Sequence, residues 1–294
     1  MKRLLLLLGL VAVLTALFGC SHEPTTVGPD VSQSTTPGVL VQRPEFIDTR
    51  PQAVQLAYTM LGTPIESTVR PEPAGGATVD PNPNPAHKYA YVIGISDYDG
   101  TTNDLSFCDD DARDVIAFLN TQGFTIRYDI DYSASAANIQ TGLIWLRDAA
   151  VAGDEIAFFY SGHGTKVRPS GGSSIISRDL YYLTHTYVMG YLNAANCTKK
   201  TINLDACVIG DFLADCKTGT VLSTASVSKY SYDAPDLQNG AWTYYFLEGA
   251  TTQGLIYNEA ISTYAEVNMK AWAAASKLKV DPSHTDMYTG DLDI

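Results

Sequence analysis

The sequence predicts an α/β domain in which a mainly parallel sheet is covered by helices on both faces. Three observations lead there. From residue 87 onward, short runs rich in β-forming residues alternate with segments whose apolar residues recur at helical spacing. Two of the runs, residues 156–160 and 201–204, read as buried strands. Each of these leads straight into a reactive side chain, as happens where parallel strands deliver their carboxyl ends to one edge of an open sheet.

The elements follow in order. Residues 89–95 are an apolar, β-rich run, and residues 110–120 carry helical spacing through Ala112, Val115, Ile116 and Leu119. Residues 124–130 read as a strand. Residues 133–150 read as a helix with Ile139, Leu143, Leu146 and Ala150 on one face. The strand 156–160 leads to His163. A glycine- and serine-rich stretch, 171–174, reads as a loop, and 180–188 is aromatic and β-branched. The strand 201–204 leads to Cys207, another strand covers 220–225, and helices near 241–248 and 259–278 close the chain. Roughly 200 residues suffice for one substantial core.

What precedes residue 87 is different. Lys2 and Arg3 stand before an uncharged apolar run, residues 4–18, which is shorter than the roughly 20 residues a membrane-spanning helix needs. Leu17-Phe18-Gly19-Cys20 resembles the lipobox of bacterial lipoproteins. That resemblance implies a signal peptide over residues 1–19, a lipidated Cys20, and an address in the bacterial cell envelope facing the periplasm or the exterior. Eleven of the fourteen prolines lie between Pro24 and Pro85. Proline fixes its backbone angle and lacks an amide donor, so residues 20–86 read as a tether, with one short helix near residues 53–61.

The formal net charge is −13, and loss of Lys2 and Arg3 with the signal makes the mature chain more acidic. Phosphate binding needs clustered Lys and Arg, so nucleic acid is excluded as a partner. Of the four remaining cysteines, Cys108, Cys197, Cys207 and Cys216, none has zinc-site spacing; in an exported protein Cys197 and Cys216 could pair.

The chemistry lies in Ser161-Gly162-His163-Gly164 and Asp205-Ala206-Cys207. A thiol and an imidazole brought to one sheet edge are a nucleophile and its base. Together with Tyr91-Val92-Ile93-Gly94-Ile95-Ser96, the run Leu105 to Ala112 and the later segments 221–226 and 239–244, these resemble the caspase-type cysteine peptidases. The site residues resemble those of the metacaspases and their bacterial relatives. The order matches, with the histidine 44 residues ahead of the cysteine; the caspase signature Q-A-C-[RQG]-G has its histidine about 50 upstream. Asp205 in place of glutamine points toward metacaspases, while Val208 departs from the pattern.

The resemblance implies a caspase-like sandwich with a mainly parallel six-stranded sheet over residues 87–294, and a cysteine endopeptidase with Cys207 as nucleophile and His163 as its acid–base partner. The amides of Gly164 and Cys207 would form the oxyanion hole. The family's pocket for the residue before the cut bond maps onto Cys108, Asp111, Ser161 and Asp205. Two carboxylates in one cleft call for a cation, which gives cleavage after Arg or Lys in a protein or peptide substrate. Many metacaspases need calcium, but between residues 165 and 204 the only acid is Asp179. Asp211 and Asp215 downstream are too few for a cation that takes about 6–8 oxygens, so no cofactor or metal is expected. The expected state is a monomer. Two other classes compete. A non-catalytic, lipid-anchored binding module would keep the fold without the reaction. A nucleotide-binding α/β protein would need a glycine-rich phosphate loop after the first strand, where Gly94 to Gly100 instead supplies Asp97 and Asp99.

Overall fold

The computed structural model describes residues 40–44, 46–47, 84–167 and 172–294. The signal peptide, Cys20 and the short helix near 53–61 lie outside the described residues. The elements are β1 (Val41–Gln42), β2 (Lys88–Gly94), α1 (Cys108–Thr121), β3 (Thr125–Ile130), α2 (Ala136–Ala149), β4 (Glu155–Ser161) and β5 (Gly164–Val167). They continue with β6 (Gly172–Ile176), β7 (Tyr181–Thr184), α3 (His185–Ala194), β8 (Lys199–Asp205), α4 (Asp211–Ala214) and β9 (Thr220–Thr224). The chain ends through β10 (Asp233–Ala234), β11 (Asn239–Gly240), α5 (Ala241–Leu247), α6 (Asn258–Ala275) and β12 (Ser283–Asp286).

The main sheet has six strands in the order β12-β9-β8-β4-β2-β3. All pairs are parallel except β12 with β9, an antiparallel edge strand. This is the expected mainly parallel sheet. Successive strand residues point to opposite faces, so each central strand feeds two cores. Tyr91, Ile93, Phe158 and Tyr160 pack with Leu143 of α2 and Val188 of α3. Val92, Ala157 and Phe159 pack on the other face with Val115 of α1, Trp242 of α5 and Trp272 of α6. Every residue of β4 and β8 is buried, as a strand covered on both sides must be.

Local chemistry sets the helix starts. Asp109, Asp110 and Asp111 occupy the first turn of α1, where the helix dipole favours anions. Ser135 caps α2 by accepting the Asn138 amide at 3.3 Å. One reading is corrected between His163 and Cys207. Residues 171–174 are not all loop: from Gly172 the chain is strand β6, pairing with β5 and β7 in a second, antiparallel sheet. The aromatic stretch 180–188 is strand only to Thr184, whose hydroxyl accepts the Tyr187 amide at 3.3 Å and starts α3. The tether reading also fails in part, because β1 joins that second sheet by pairing with β7. Cys197 and Cys216 are separate buried thiols.

The amino edge of the main sheet carries a buried charge cluster. Lys88, Glu155 and Lys199 sit in register across β2, β4 and β8. Glu155 lies 3.3 Å from Lys88 and 3.4 Å from Lys199, and Lys199 also contacts Asp293. Burial pushes the Glu155 carboxyl up to about 7 against the pull of the two lysines. A carboxyl raised above its unfolded value makes the fold less stable as pH climbs through about 4.5 to 7. Lys199→Met removes one cation and leaves the buried carboxylate poorly compensated. It should cost about 3–5 kcal/mol at pH 8 and clearly less at pH 5, where Glu155 is protonated; urea unfolding at the two pH values measures this.

Candidate active site

Gly94, Ser161 and Asp205 are the last residues of β2, β4 and β8, and they lie side by side in register. His163 and Cys207 each follow two residues after the strand end. Equal offsets from paired positions bring them to the same cleft, which Cys108, Ser161, Asp205 and Asp233 also line. A larger hollow of about 450 Å³ beside α1 and α5, lined by Asp114, Tyr244 and Glu248 among others, has no cysteine or histidine in its lining.

His163 is buried and held at three points. Its amide donates to Tyr98 Oη at 2.8 Å, and its carbonyl accepts from Tyr160 Oη at 2.8 Å and the Ile176 amide at 3.1 Å. Burial drives both phenols up, so they stay neutral, Tyr98 accepting from the amide and Tyr160 donating to the carbonyl. The ring nitrogen Nε2 lies 2.7 Å from the Asn103 carbonyl. A carbonyl only accepts, so Nε2 carries the proton and Nδ1 is left with the lone pair. Phe46 and Tyr98 pack against the imidazole with centroids at 5.2 and 4.7 Å. At Gly164 a Cβ would fall 2.3 Å from the Cys207 carbonyl, so only glycine lets the two chains pass this closely.

Cys207 is half-buried; its sulfur accepts the Ser231 amide at 3.3 Å and lies 3.7 Å from the Ser231 carbonyl, so one residue holds it through both main-chain groups. Val208 then takes φ 58°, a conformation that costs a β-branched residue about 1–3 kcal/mol and belongs to strained functional turns. The turn is tied back to the histidine side. Ser173 Oγ donates to the Val208 carbonyl at 2.9 Å, and Asp211 accepts from the Ser173 amide at 2.9 Å and from Lys166 Nζ at 2.9 Å.

The loop carrying Ser231 is fixed by Asp281. Its carboxylate accepts the amides of Val227, Ser228 and Lys229 at 3.0, 2.9 and 3.0 Å, and the hydroxyls of Ser226 and Ser228 at 3.1 and 2.6 Å.

Beneath the cleft stand two buried carboxylates. Asp111 accepts from Ser161 Oγ at 2.7 Å, the Gly240 amide at 2.8 Å and Asn239 Nδ2 at 3.1 Å. Asp205 accepts from Thr243 Oγ1 at 2.8 Å, the Thr243 amide at 3.1 Å and Ser231 Oγ. A Cβ on Gly240 would lie 2.4 Å from Asp205 and 2.7 Å from Asp111. Burial pushes Asp205 up to about 6, and burial with the charge of Asp205 raises Asp111 well above the usual carboxylate range. The Cys108 thiol is likewise raised, first by burial and then by Asp233 and Asp111.

The caspase-domain family model matches residues 87–291. The chain belongs to the caspase-domain family. No curated protein matches it. Among solved structures it is similar to the crystal structure of protein GSU0716 from Geobacter sulfurreducens, at 16% identity and a TM-score of 0.56, over 71% of this chain and 97% of that one. That likeness concerns the fold alone.

Within the caspase domain, Cys108, Ser161, His163, Asp205 and Cys207 share one cleft, and Asp111 lies directly behind Ser161. Gly164 runs past the Cys207 carbonyl. Sequence reading missed Asn103, Ser231, Asp233 and Asp281. The first two meet the imidazole and the thiol through main-chain atoms, which any residue possesses, and the two acids sit far along the chain with no distinguishing spacing. Asp281→Ala should remove the carboxylate to which three loop amides and two hydroxyls donate, the Val227 amide keeping the main-chain carbonyl of residue 281 and the Ser226 hydroxyl that of Lys229. We expect a loss of about 1–3 kcal/mol in urea unfolding and slower alkylation of Cys207 by iodoacetamide at neutral pH in the folded protein.

Proposed function

We propose that the chain is a cysteine endopeptidase that cuts after Arg or Lys, and the observation that carries this is the shared cleft of His163 and Cys207 above two buried acids. Cys207 gives its proton to His163 Nδ1, and the thiolate attacks the scissile carbonyl carbon. A C–S bond forms as the carbonyl π electrons move to oxygen, where the amides of Gly164 and Cys207 receive the charge. When the oxyanion collapses, the C–N bond breaks and the imidazolium hands its proton to the leaving amine. Water, giving a proton to His163, then cleaves the thioester and restores the thiol. The Asn103 carbonyl accepting Nε2–H keeps the imidazole in the tautomer this cycle needs.

The specificity reading rests on charge. The hydrogen-bond partners of Asp111 and Asp205 are all neutral donors. A guanidinium or ammonium supplies the missing cation, with Cys108 and Ser161 on the pocket wall and Asp233 adding a third acid at the rim. Asp211 is already engaged by Lys166, Asp215 by His185, and Asp179 by Ser177 and the Ala136 amide, which supports a reading of catalysis without calcium. Residues 1–19 are the signal, Cys20 carries the lipid, and the domain works as a monomer on the periplasmic or outer side of the cell envelope. Palmitate labelling lost in Cys20→Ser tests the anchor.

A fluorogenic peptide panel with Arg, Lys, Asp or Asn at the cleaved position tests the rest. Wild type should cut the basic peptides, with or without a calcium chelator, and Cys207→Ala should lose at least about 10³-fold in kcat with its melting temperature kept. Cleavage after Asp would remove the specificity reading; activity in Cys207→Ala would remove the nucleophile. Silence of both proteins would favour the binding module.

The pH dependence has a definite sign. Asp205, raised to about 6, takes up a proton as pH falls through that value and loses its attraction for a cation. KM for an arginyl peptide should therefore climb below pH 6. The same raised carboxyl makes the empty fold less stable as pH rises from about 4 to 6. An arginyl peptide aldehyde should accordingly raise the melting temperature more at pH 7.5 than at pH 5, and Asp205→Asn should cancel that difference.

A further inference from the structure

Phe46 belongs to the proline-rich segment that reads as an inert tether, yet it is buried against the cleft. Its approach is built, not incidental. Val41 and Gln42 pair with Tyr182 and Tyr181 at the edge of the second sheet. The Arg43 amide donates to the Leu180 carbonyl at 2.8 Å, and the Arg43 guanidinium lies over the Tyr182 ring at 5.3 Å. The Phe46 amide then donates to the Arg43 carbonyl at 2.9 Å, closing a turn that brings the phenyl ring inward. The ring meets His163 edge-on at 5.2 Å and Tyr182 at 6.0 Å.

The main chain makes the second contact. Asn103 is buried, its side-chain amide donates to the Phe46 carbonyl at 3.0 Å, and its own carbonyl accepts Nε2 of His163 at 2.7 Å. One asparagine thus joins the N-terminal segment to the imidazole. Asn103 stands in a long connection between β2 and α1 that contains Gly100, Thr101 and Thr102, with no regular element to fix it. The residues after it are held by the Asp104 carboxylate, which accepts the Tyr98 amide at 3.1 Å, and by the Leu105 amide, which donates to the Ser96 carbonyl at 2.9 Å; the Asn103 side chain adds the bond to Phe46.

We propose that Phe46 is a positioning residue for the imidazole: through ring packing on His163 and through Asn103, the N-terminal segment braces the acid–base group in its working orientation. The peptidase is then incomplete without a piece of chain some forty residues ahead of its domain. This inference rests on the reading of His163 as the acid–base group.

The test uses point variants in the otherwise full-length chain: Phe46→Ala, Phe46→Leu and Asn103→Ala. Steady-state kinetics on an arginyl peptide should show kcat lower by about 10- to 100-fold in Phe46→Ala, with KM nearly unchanged, because small misplacements of a catalytic group act on the chemical step. Asn103→Ala should match it, and Phe46→Leu should recover most of the loss. A merely structural role would lower the melting temperature and leave kcat of the folded enzyme untouched. Nitrogen-detected NMR of His163 supplies a readout that needs no turnover: the Nε2 proton should exchange about tenfold faster in Phe46→Ala than in wild type. Wild-type kcat together with an unchanged His163 resonance in Phe46→Ala would overturn the brace. A higher kcat in that variant would overturn it too, since the segment would then be a plug. If the wild type cuts no peptide, the peptidase reading fails by itself, and the exchange rate of the Nε2 proton still decides whether Phe46 holds the ring.

Discussion

The parallel register of β4 against β8 is the constraint from which the cleft follows. Ser161 and Asp205 end their strands as hydrogen-bonded neighbours, so any residue a fixed number of steps beyond each must emerge at the same place. A slip of one residue would turn every side chain of that strand to the other face. Phe158 and Tyr160 would leave the α2–α3 core, and Ala157 and Phe159 would leave the α1–α5–α6 core. Burial on both faces therefore fixes the register, and the register fixes the meeting of imidazole and thiol. Packing far from the chemistry decides where the chemistry is.

The two edges of the same sheet treat buried acid in opposite ways. At the amino edge, Glu155 lies between two lysines, and the cluster closes on itself. At the carboxyl edge, Asp111 and Asp205 receive hydroxyls, amides and an asparagine side chain, but no cation from among the described residues. Hydrogen bonds from neutral donors lower the cost of burying a carboxylate without removing its charge. One edge is finished as structure. The other leaves two carboxyl groups whose hydrogen-bond partners among the described residues are all neutral.

Legibility in the sequence tracked how much of each feature is written in side-chain type. The runs 89–95, 156–160 and 201–204 became β2, β4 and β8 because strands buried on both faces must be built from recognisable residues. His163, Cys207, Ser161 and Asp205 were visible as ordered motifs at strand ends. The β6 strand was hidden in Gly172-Ser173-Ser174, small polar residues that tertiary pairing overrides. Helix α3 was hidden by the β-branched and aromatic character of 185–188, where the Thr184 cap and packing against the core prevail over propensity. Asn103 and Ser231 reach His163 and Cys207 with a main-chain carbonyl and amide, contacts that no sequence pattern can mark. Phe46 was hidden by its prolines: they forbid a long element but permit two residues of edge strand followed by a turn.

Neither His163 nor Cys207 stands inside a regular element, so their positions must be fixed by loops. The structure meets this with single buried or half-buried side chains that each gather several main-chain atoms. Asp281 collects three consecutive amides of the loop that presents Ser231 to the sulfur. Ser173 and Asp211 bind the strand pair after His163 to the turn after Cys207, which holds the two reactive residues to one another across the cleft. Asn103 bonds Phe46 with its side chain and the imidazole with its carbonyl. Each of these links spans at least 35 residues of sequence, so loop ordering is set only once the sheet, the second sheet and the N-terminal segment are all in place. The cleft therefore depends on all three parts at once, while its position on the sheet is set by the register of β4 and β8.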